Sequence, residues 1–376
     1  MGKPLLKDPI WVDRQDKFEK LLNDLSRKEE IAVDTESNSL YAYLEQVCLI
    51  QFSTDQRDYL VDPMSAIDIS GLALIFESPT IKKVFHAAEY DILCLKRDFG
   101  FRFNNIFDTM VAGRILGYKS VGLASMLEQK FDVKVNKKYQ RANWGRRPIP
   151  DDMIRYARLD THYLLPLSNS LKNELSKAQR EKFAEEDFKR LCEIEPQIKE
   201  KNGECTKVSG SQGLSLKQLT VLEKLCEYRD RQARKYNVPP FKVLSNRVLI
   251  NIAVISPEEA SELWHIEGLS AKNIRTHSTG LIEAVKIGLE SKPVQRIVNR
   301  SKPNEKYIDR FESLKRWRKL TGQKLGVPSD VILPKDILEL IAKSKPETLS
   351  ELSSVMSSVP SRYEAFGQNI FDVISE

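Results

Sequence analysis

Apolar positions over the first 130 residues alternate between two periods, which is the signature of helices and strands in turn. Phe18, Leu21, Leu22 and Leu25 recur at helical spacing and predict a helix over residues 15–27 with one buried face. Ile31-Ala32-Val33 is a short apolar run bounded by charge and predicts a buried strand over 31–35. The runs at 47–53 and 58–61 predict two further strands, joined as a hairpin near Asp55-Gln56-Arg57. A short helix at 71–77, a strand at 81–86, a helix at 90–99, a short strand near Phe107 and helices at about 110–116 and 123–131 follow. Three antiparallel strands and then alternating α and β predict a mixed sheet flanked by helices.

A further helix is predicted to start at Pro150, with Asp151 and Asp152 in its first turn, where a fixed proline φ and acidic side chains suit a helix N-terminus. Pro166 removes one backbone donor and is expected to bend this helix. A long charged helix is expected at about 175–194, and residues 200–213 turn polar and rich in Gly and Ser, as in a linker. Beyond it an ungapped internal repeat appears: Arg229, Val238-Pro239, Leu244, Ile252-Ala253 and Pro257 correspond to Arg318, Val327-Pro328, Leu333, Ile341-Ala342 and Pro346. Each copy predicts a long helix, a Val-Pro turn and several short helices.

Composition bounds the class. A chain of 376 residues is long for one domain, and 41% hydrophobic with 30% charged residues is ordinary for a globular protein. No apolar run approaches the length of a membrane span, and the N-terminal residues lack a hydrophobic signal core, so a cytoplasmic protein is expected. Five cysteines without a C-x-x-C pair suit reduced thiols better than disulfides or zinc. The net charge of +6 is modest, but Lys134, Lys137, Lys138, Arg141, Arg146 and Arg147 fall between residues 133 and 150 with no acidic residue among them. Between Arg296 and Lys324 ten basic residues stand against three acidic ones, with Tyr307 and Trp317 interleaved, which makes that stretch the better candidate in the repeat for contact with an anionic polymer.

The candidate chemistry is acidic. On a strand, period 2 aims Asp34 and Glu36 to the same side. Asp91 falls in the first turn of the helix after the 81–86 strand, and Tyr156 and Asp160 lie one turn apart on one helix face. Four carboxylates gathered beside a phenol would raise one another's pKa unless divalent cations neutralise them, and hard oxygen ligands suit Mg²⁺ or Mn²⁺. The adjacent basic stretch would bring a phosphate up to such a site.

Asp34-x-Glu36, Asp91 and Tyr156-x-x-x-Asp160, in that order, resemble the three exonuclease motifs of the DEDD superfamily in its tyrosine-bearing subgroup, and within it the ribonuclease D family. The segments Asp34-Thr-Glu-Ser-Asn-Ser-Leu40, Phe107-Asp108-Thr109-Met110 and Asn143-Trp144-Gly145-Arg146-Arg147-Pro148 agree with that family. Many relatives carry asparagine where this chain has Ala87. The repeated unit is similar to the HRDC domain, an auxiliary nucleic-acid-binding module. The resemblance implies an α/β ribonuclease H-like exonuclease domain over residues 1–200, a linker at 201–213 and two all-α HRDC domains at 214–292 and 293–376.

The resemblance also implies a monomeric 3′-5′ exoribonuclease that releases nucleoside 5′-monophosphates, acting on RNA such as 3′ extensions of tRNA precursors. Two divalent ions would serve it, with Asp34, Glu36 and Asp160 holding one, Asp34 bridging to the second, Asp91 bound through water and Tyr156 orienting the attacking water. Leu40 would wedge against the terminal base. Gln51 and His86 would touch sugar or satisfy neighbouring backbone groups, and Trp144 would stack on a base or anchor the basic loop. Lys137, Lys138, Arg141, Arg146 and Arg147 would grip phosphate, while His162, on the opposite helix face, is expected to be structural. A DNA 3′ exonuclease shares the same catalytic motifs, and a non-catalytic RNA-binding protein would be expected to have lost at least one carboxylate.

Overall fold

The computed structural model describes residues 7–136, 138–196, 208–294 and 305–375. Its backbone divides into two units. One comprises the described residues of Met1–Ser37, Val47–Pro196 and Arg300–Glu376, and the other those of Asn38–Gln46 and Gln197–Asn299.

The first unit is built on a six-stranded mixed sheet. Its strands are β1 (Ile10–Val12), β2 (Glu30–Ser37), β3 (Val47–Ser53), β4 (Asp58–Val61), β5 (Lys82–Phe85) and β6 (Ile106–Asp108), in the order β1-β4-β3-β2-β5-β6. β2, β3 and β4 are antiparallel neighbours as the alternation predicts, and β5 and β6 join in parallel. β1 is an addition: Ile10-Trp11-Val12, too short to show a period, pairs in parallel with β4 and covers that edge. Helices α1 (Gln15–Leu25), α2 (Leu72–Glu77), α3 (Glu89–Phe99), α4 (Thr109–Ile115), α5 (Leu123–Phe131), α6 (Asp151–His162), α7 (Leu164–Lys177) and α8 (Glu181–Glu193) complete this part. Among the buried side chains of the α1 side are Phe18, Leu21, Leu25, Phe52, Phe76 and Phe85.

Two expectations are corrected. The bend after the Tyr156 helix lies at Tyr163 (φ −99°, ψ 1°), where α6 stops and α7 begins, and Pro166 sits in the first turn of α7, where its missing N–H leaves no helical bond unmade. The long helix expected at 175–194 is instead the end of α7 and the separate α8, broken at Gln179 with φ 54°.

The second unit contains α9 (Leu216–Tyr236), α10 (Pro240–Val243), α11 (Asn246–Ile255) and α12 (Ala271–Glu290), and the first unit also holds α13 (Glu305–Leu325), α14 (Ser329–Ile332), α15 (Lys335–Ser344), α16 (Leu349–Val355) and α17 (Pro360–Ser375). The two helical copies repeat one another in atomic detail. Arg229 donates to the Leu244 carbonyl at 3.1 Å, and Arg318 does the same to Leu333 at 2.8 Å. Asn237 and Gly326 both end the long helix at positive φ, 48° and 66°. In the second unit the loop 38–46 grips α9 and α10: Tyr43 Oη donates to Asp230 of α9 at 2.6 Å and Lys242 of α10 lies 4.0 Å from the centre of the Tyr41 ring. The cysteine reading is also corrected in part. Cys48, Cys94 and Cys192 are thiols, but Cys226 is disulfide-bonded. Part of the expected linker, residues 201–207, lies outside the described residues.

In the first unit the second helical copy is fastened to α8. Arg362 of α17, fully buried, donates to Glu186 and Asp187 at 2.8 Å each and to the Val331 carbonyl at 2.9 Å. Arg190 adds an ion pair to Asp336 at 2.6 Å, and Phe183 packs on Phe366 with ring centres 6.0 Å apart. Gly117 approaches so closely that a Cβ there would lie 2.2 Å from the Gly326 carbonyl oxygen.

Candidate active site

β2 and β3 pair so that Asp34 stands opposite Gln51 and Glu36 opposite Leu49. Cross-strand partners share a face, and α6 covers this one: Ser53 of β3 shares a 2.7 Å hydrogen bond with Thr161 of α6. A second tie fixes the same helix. Buried Asp58 of β4 accepts from Arg158 Nε at 3.1 Å and meets His162 Nδ1 at 3.0 Å. His162 is thus structural, as its helix face predicts. The opposite side of α6 turns Tyr156 and Asp160 toward the β2 carboxylates.

Carboxylate oxygens of Asp34, Glu36 and Asp160 lie within 4.8 Å of one another. Asp91, in the first turn of α3 and 6% exposed, stands behind them and accepts a short hydrogen bond from Thr35 Oγ1. The four carboxyls repel one another in a buried setting. Burial, and then the charges of Asp91, Asp160 and Glu36, hold Asp34 well above the usual carboxylate range, and burial with Asp160 and Asp91 does the same to Glu36. Burial raises Asp91 to about 7 against the opposing bond from Thr35, and burial raises Asp160 to about 7 against a hydrogen bond from Tyr156. The Tyr156 phenol, pushed up by burial and by Asp160, stays protonated at any physiological pH. A divalent cation relieves this repulsion, and three hard oxygen donors at such spacing fit Mg²⁺ or Mn²⁺.

Asp34, Glu36, Tyr156 and Asp160 line a cleft of about 450 Å³ together with His86, Gly122, Leu123, Val135 and Gln140. His86 shares a 2.9 Å hydrogen bond with Thr109, and burial depresses its imidazole to about 4, so it is neutral.

The structure turns several expected nucleic-acid contacts inward. Gln51 is fully buried and donates through Nε2 to Asp34 Oδ2 at 3.2 Å. Trp144 is 1% exposed, with its ring centre 6.2 Å from that of Tyr156, which favours the anchoring role over base stacking. Arg147 forks onto Asp62 at 2.6 and 2.7 Å and also binds the Cys48 and Trp144 carbonyls, so it staples the basic loop to the sheet. Lys138, Arg141 and Arg146 are exposed. Lys137 lies outside the described residues, and Leu40, 37% exposed, belongs to loop 38–46 of the second unit.

Asp108 is visible in the sequence only as part of the family segment 107–110, with no role assigned to it. Its carboxylate accepts from the backbone N–H of Ala87, Ala88, Met110 and Val111 at 2.7–3.1 Å, joining the start of α3 to the start of α4. An Asp ahead of a helical run is an N-cap signal, but its second pair of donors, twenty residues earlier, has no local trace.

A family profile for the 3′-5′ exonuclease domain matches residues 9–176, and one for the HRDC domain matches 218–285 and 308–374. Protein RRP6-like 2 of Arabidopsis thaliana is 37% identical over 69% of this chain, which spans only 32% of that protein's length. Ribonuclease D of Bartonella henselae is 28% identical over 92% of this chain and 85% of its own. The crystal structure of the catalytic core of RRP6 from Trypanosoma brucei superposes with a TM-score of 0.67 at 31% identity, covering 77% of this chain and 81% of that one. The six-stranded sheet, the acidic cleft and the doubled helical unit agree with these matches, and the chain belongs to the 3′-5′ exonuclease family of ribonuclease D and RRP6, with two HRDC domains.

Proposed function

We propose that the protein is a hydrolytic 3′-5′ exoribonuclease that shortens RNA one nucleoside 5′-monophosphate at a time. The observation that carries this reading is the convergence of Asp34, Glu36 and Asp160 within 4.8 Å beside a protonated Tyr156. Asp34, Glu36 and Asp160 would hold divalent ions, Mg²⁺ or Mn²⁺, with Asp91 behind them. Such ions, when bound, supply charge neutralisation at the phosphate and activate water at neutral pH. Water adds to the terminal phosphorus, the P–O3′ bond breaks, the 3′ oxygen of the shortened chain takes up a proton, and the released nucleotide keeps its 5′ phosphate. Tyr156, whose hydroxyl proton is donated to Asp160, orients the attacking water by accepting a hydrogen bond from it. It is not a base, because burial and Asp160 hold its proton in place.

Lys138, Arg141 and Arg146, exposed on the loop whose Trp144 backs Tyr156, are the phosphate contacts. Leu40 is the candidate base wedge, and exposed Lys315, Arg316 and Lys319 of α13 are candidate RNA contacts of the second HRDC domain. RNA is preferred over DNA on the similarity to ribonuclease D, and trimming of tRNA precursors by a cytoplasmic monomer is the finer reading. The test is a time course on a 5′-labelled tRNA precursor bearing extra 3′ nucleotides, beside a DNA of the same sequence, with the released products resolved by chromatography. Single-nucleotide steps on RNA that yield 5′-monophosphates and pause near the mature end agree with the proposal. Degradation of DNA alone, or internal cuts, contradicts it.

A further inference from the structure

Three of the site carboxylates each have a side-chain donor: Thr35 for Asp91, Tyr156 for Asp160 and Gln51 for Asp34. Gln51 stands apart because its amide is placed at a cost. The residue is 0% exposed in the middle of β3, between Asp34 of β2 and Leu60 of β4 in register, and every other residue of β3 except Ser53 is apolar. With Nε2 donating to Asp34, Oε1 is left to the interior. There Oε1 finds no partner among the described residues. A buried unpaired carbonyl is destabilising, and an aliphatic side chain at this position would avoid that penalty. Polar groups placed against the local packing rule are expected where function requires them.

The need is visible at Asp34. An aspartate carboxyl turns freely about its last torsion, and repulsion from Asp91, Asp160 and Glu36 would swing it away from the cluster it must complete. The Gln51 amide, the side-chain donor to Asp34 beside the Thr35 N–H, fixes Oδ2, and with it the direction of the remaining lone pairs. We propose that Gln51 is a positioning residue that holds the Asp34 carboxylate in the orientation that binds divalent cation. It acts through Asp34 and touches no substrate. Outer-shell partners of this kind change metal affinity by about 10–100-fold when removed.

This inference rests on the acidic cluster being a metal site, and the experiment separates the two. Mn²⁺ binding to the full chain is titrated by electron paramagnetic resonance, without RNA, for the wild type, Gln51→Met and Gln51→Leu. Exonuclease rates are then followed as Mn²⁺ is raised. Both variants are expected to melt cooperatively, to bind Mn²⁺ about tenfold more weakly and to recover most of their rate at high Mn²⁺, with KM for RNA unchanged. A wild-type chain that binds no Mn²⁺ would remove the metal site itself. Tight wild-type binding with an unchanged affinity in whichever variant folds, or a rate loss that Mn²⁺ does not restore, overturns the role of Gln51 alone. If neither variant folds, the residue is structural and the proposal fails.

Discussion

Ala87 shows how much a single backbone angle carries. It lies at φ 63°, in the left-handed region, between the strand that ends at Phe85 and the helix that presents Asp91. A Cβ in that region is strained by about 1–2 kcal/mol, and the N–H bond to Asp108 keeps the residue there. Asparagine tolerates this conformation better than alanine, so Ala87 is a local strain that leaves the carboxylates in place. Ala87→Gly is predicted to raise stability by about 0.5 kcal/mol or more, since the relief exceeds the added chain entropy. Urea denaturation measures this, and a lower midpoint would refute it.

The titration of the carboxylates gives a second prediction. Asp91 and Asp160 move up from 3.8 to about 7 in the folded chain, so the folded state holds protons that the unfolded state has already released. Their contribution to stability is fully present below pH 4 and is lost as the pH rises to about 7. In EDTA the melting temperature is therefore predicted to fall between pH 5 and pH 8. Mg²⁺ or Mn²⁺ is predicted to flatten that fall by replacing the protons. Identical profiles with and without metal would show that the cluster binds none.

Among the elements, α6 and the start of α3 decide the site. The period of β2 and the one-turn spacing of Tyr156 and Asp160 made the Asp34–Glu36 pair and the Tyr156–Asp160 pair legible in the sequence, because face and period are local properties. The supports were illegible because they are contacts between distant segments. Asp58 with Arg158 and His162, Ser53 with Thr161, and Asp108 with Ala87 and Ala88 all join residues far apart in the chain. Gln51 and Trp144 look like surface-binding residues by type and prove buried, since type does not report depth. Asp108→Ala removes the cap of α4 and the acceptor for the start of α3 together. It is predicted to destabilise the first unit by about 2–3 kcal/mol and to weaken Mn²⁺ binding, read by thermal melting and metal titration. A loss below 0.5 kcal/mol would show that the two helix starts stand without it.

At the scale of the whole molecule, the fold class and the repeat were legible because apolar periodicity and the Val-Pro punctuation survive in both copies, down to Arg229 and Arg318 on matching carbonyls. The grouping of the second copy with the sheet was not, because it depends on contacts between distant segments, with one buried arginine among them. Arg362 satisfies Glu186, Asp187 and a carbonyl with no exposure of its own. Removing one partner of such a buried pair costs about 3–5 kcal/mol, so Arg362→Ala is predicted to lower the melting temperature of the chain and to speed hydrogen exchange in α8 and α17. Unchanged exchange there would contradict the clamp. No helix among the described residues is long and apolar enough to cross a membrane.

The central claim is that Asp34, Glu36 and Asp160 form a metal-dependent centre for hydrolysis at an RNA 3′ end. The most direct measurement is single-turnover shortening of a 5′-labelled RNA by metal-stripped enzyme as Mg²⁺ is titrated back, for the wild type and Asp160→Asn. The wild type is predicted to be inert without metal and to remove single nucleotides once it is restored, with Asp160→Asn slower by at least about 10³-fold at saturating Mg²⁺. Shortening in EDTA, or a near wild-type rate in Asp160→Asn, would contradict the assignment of the site.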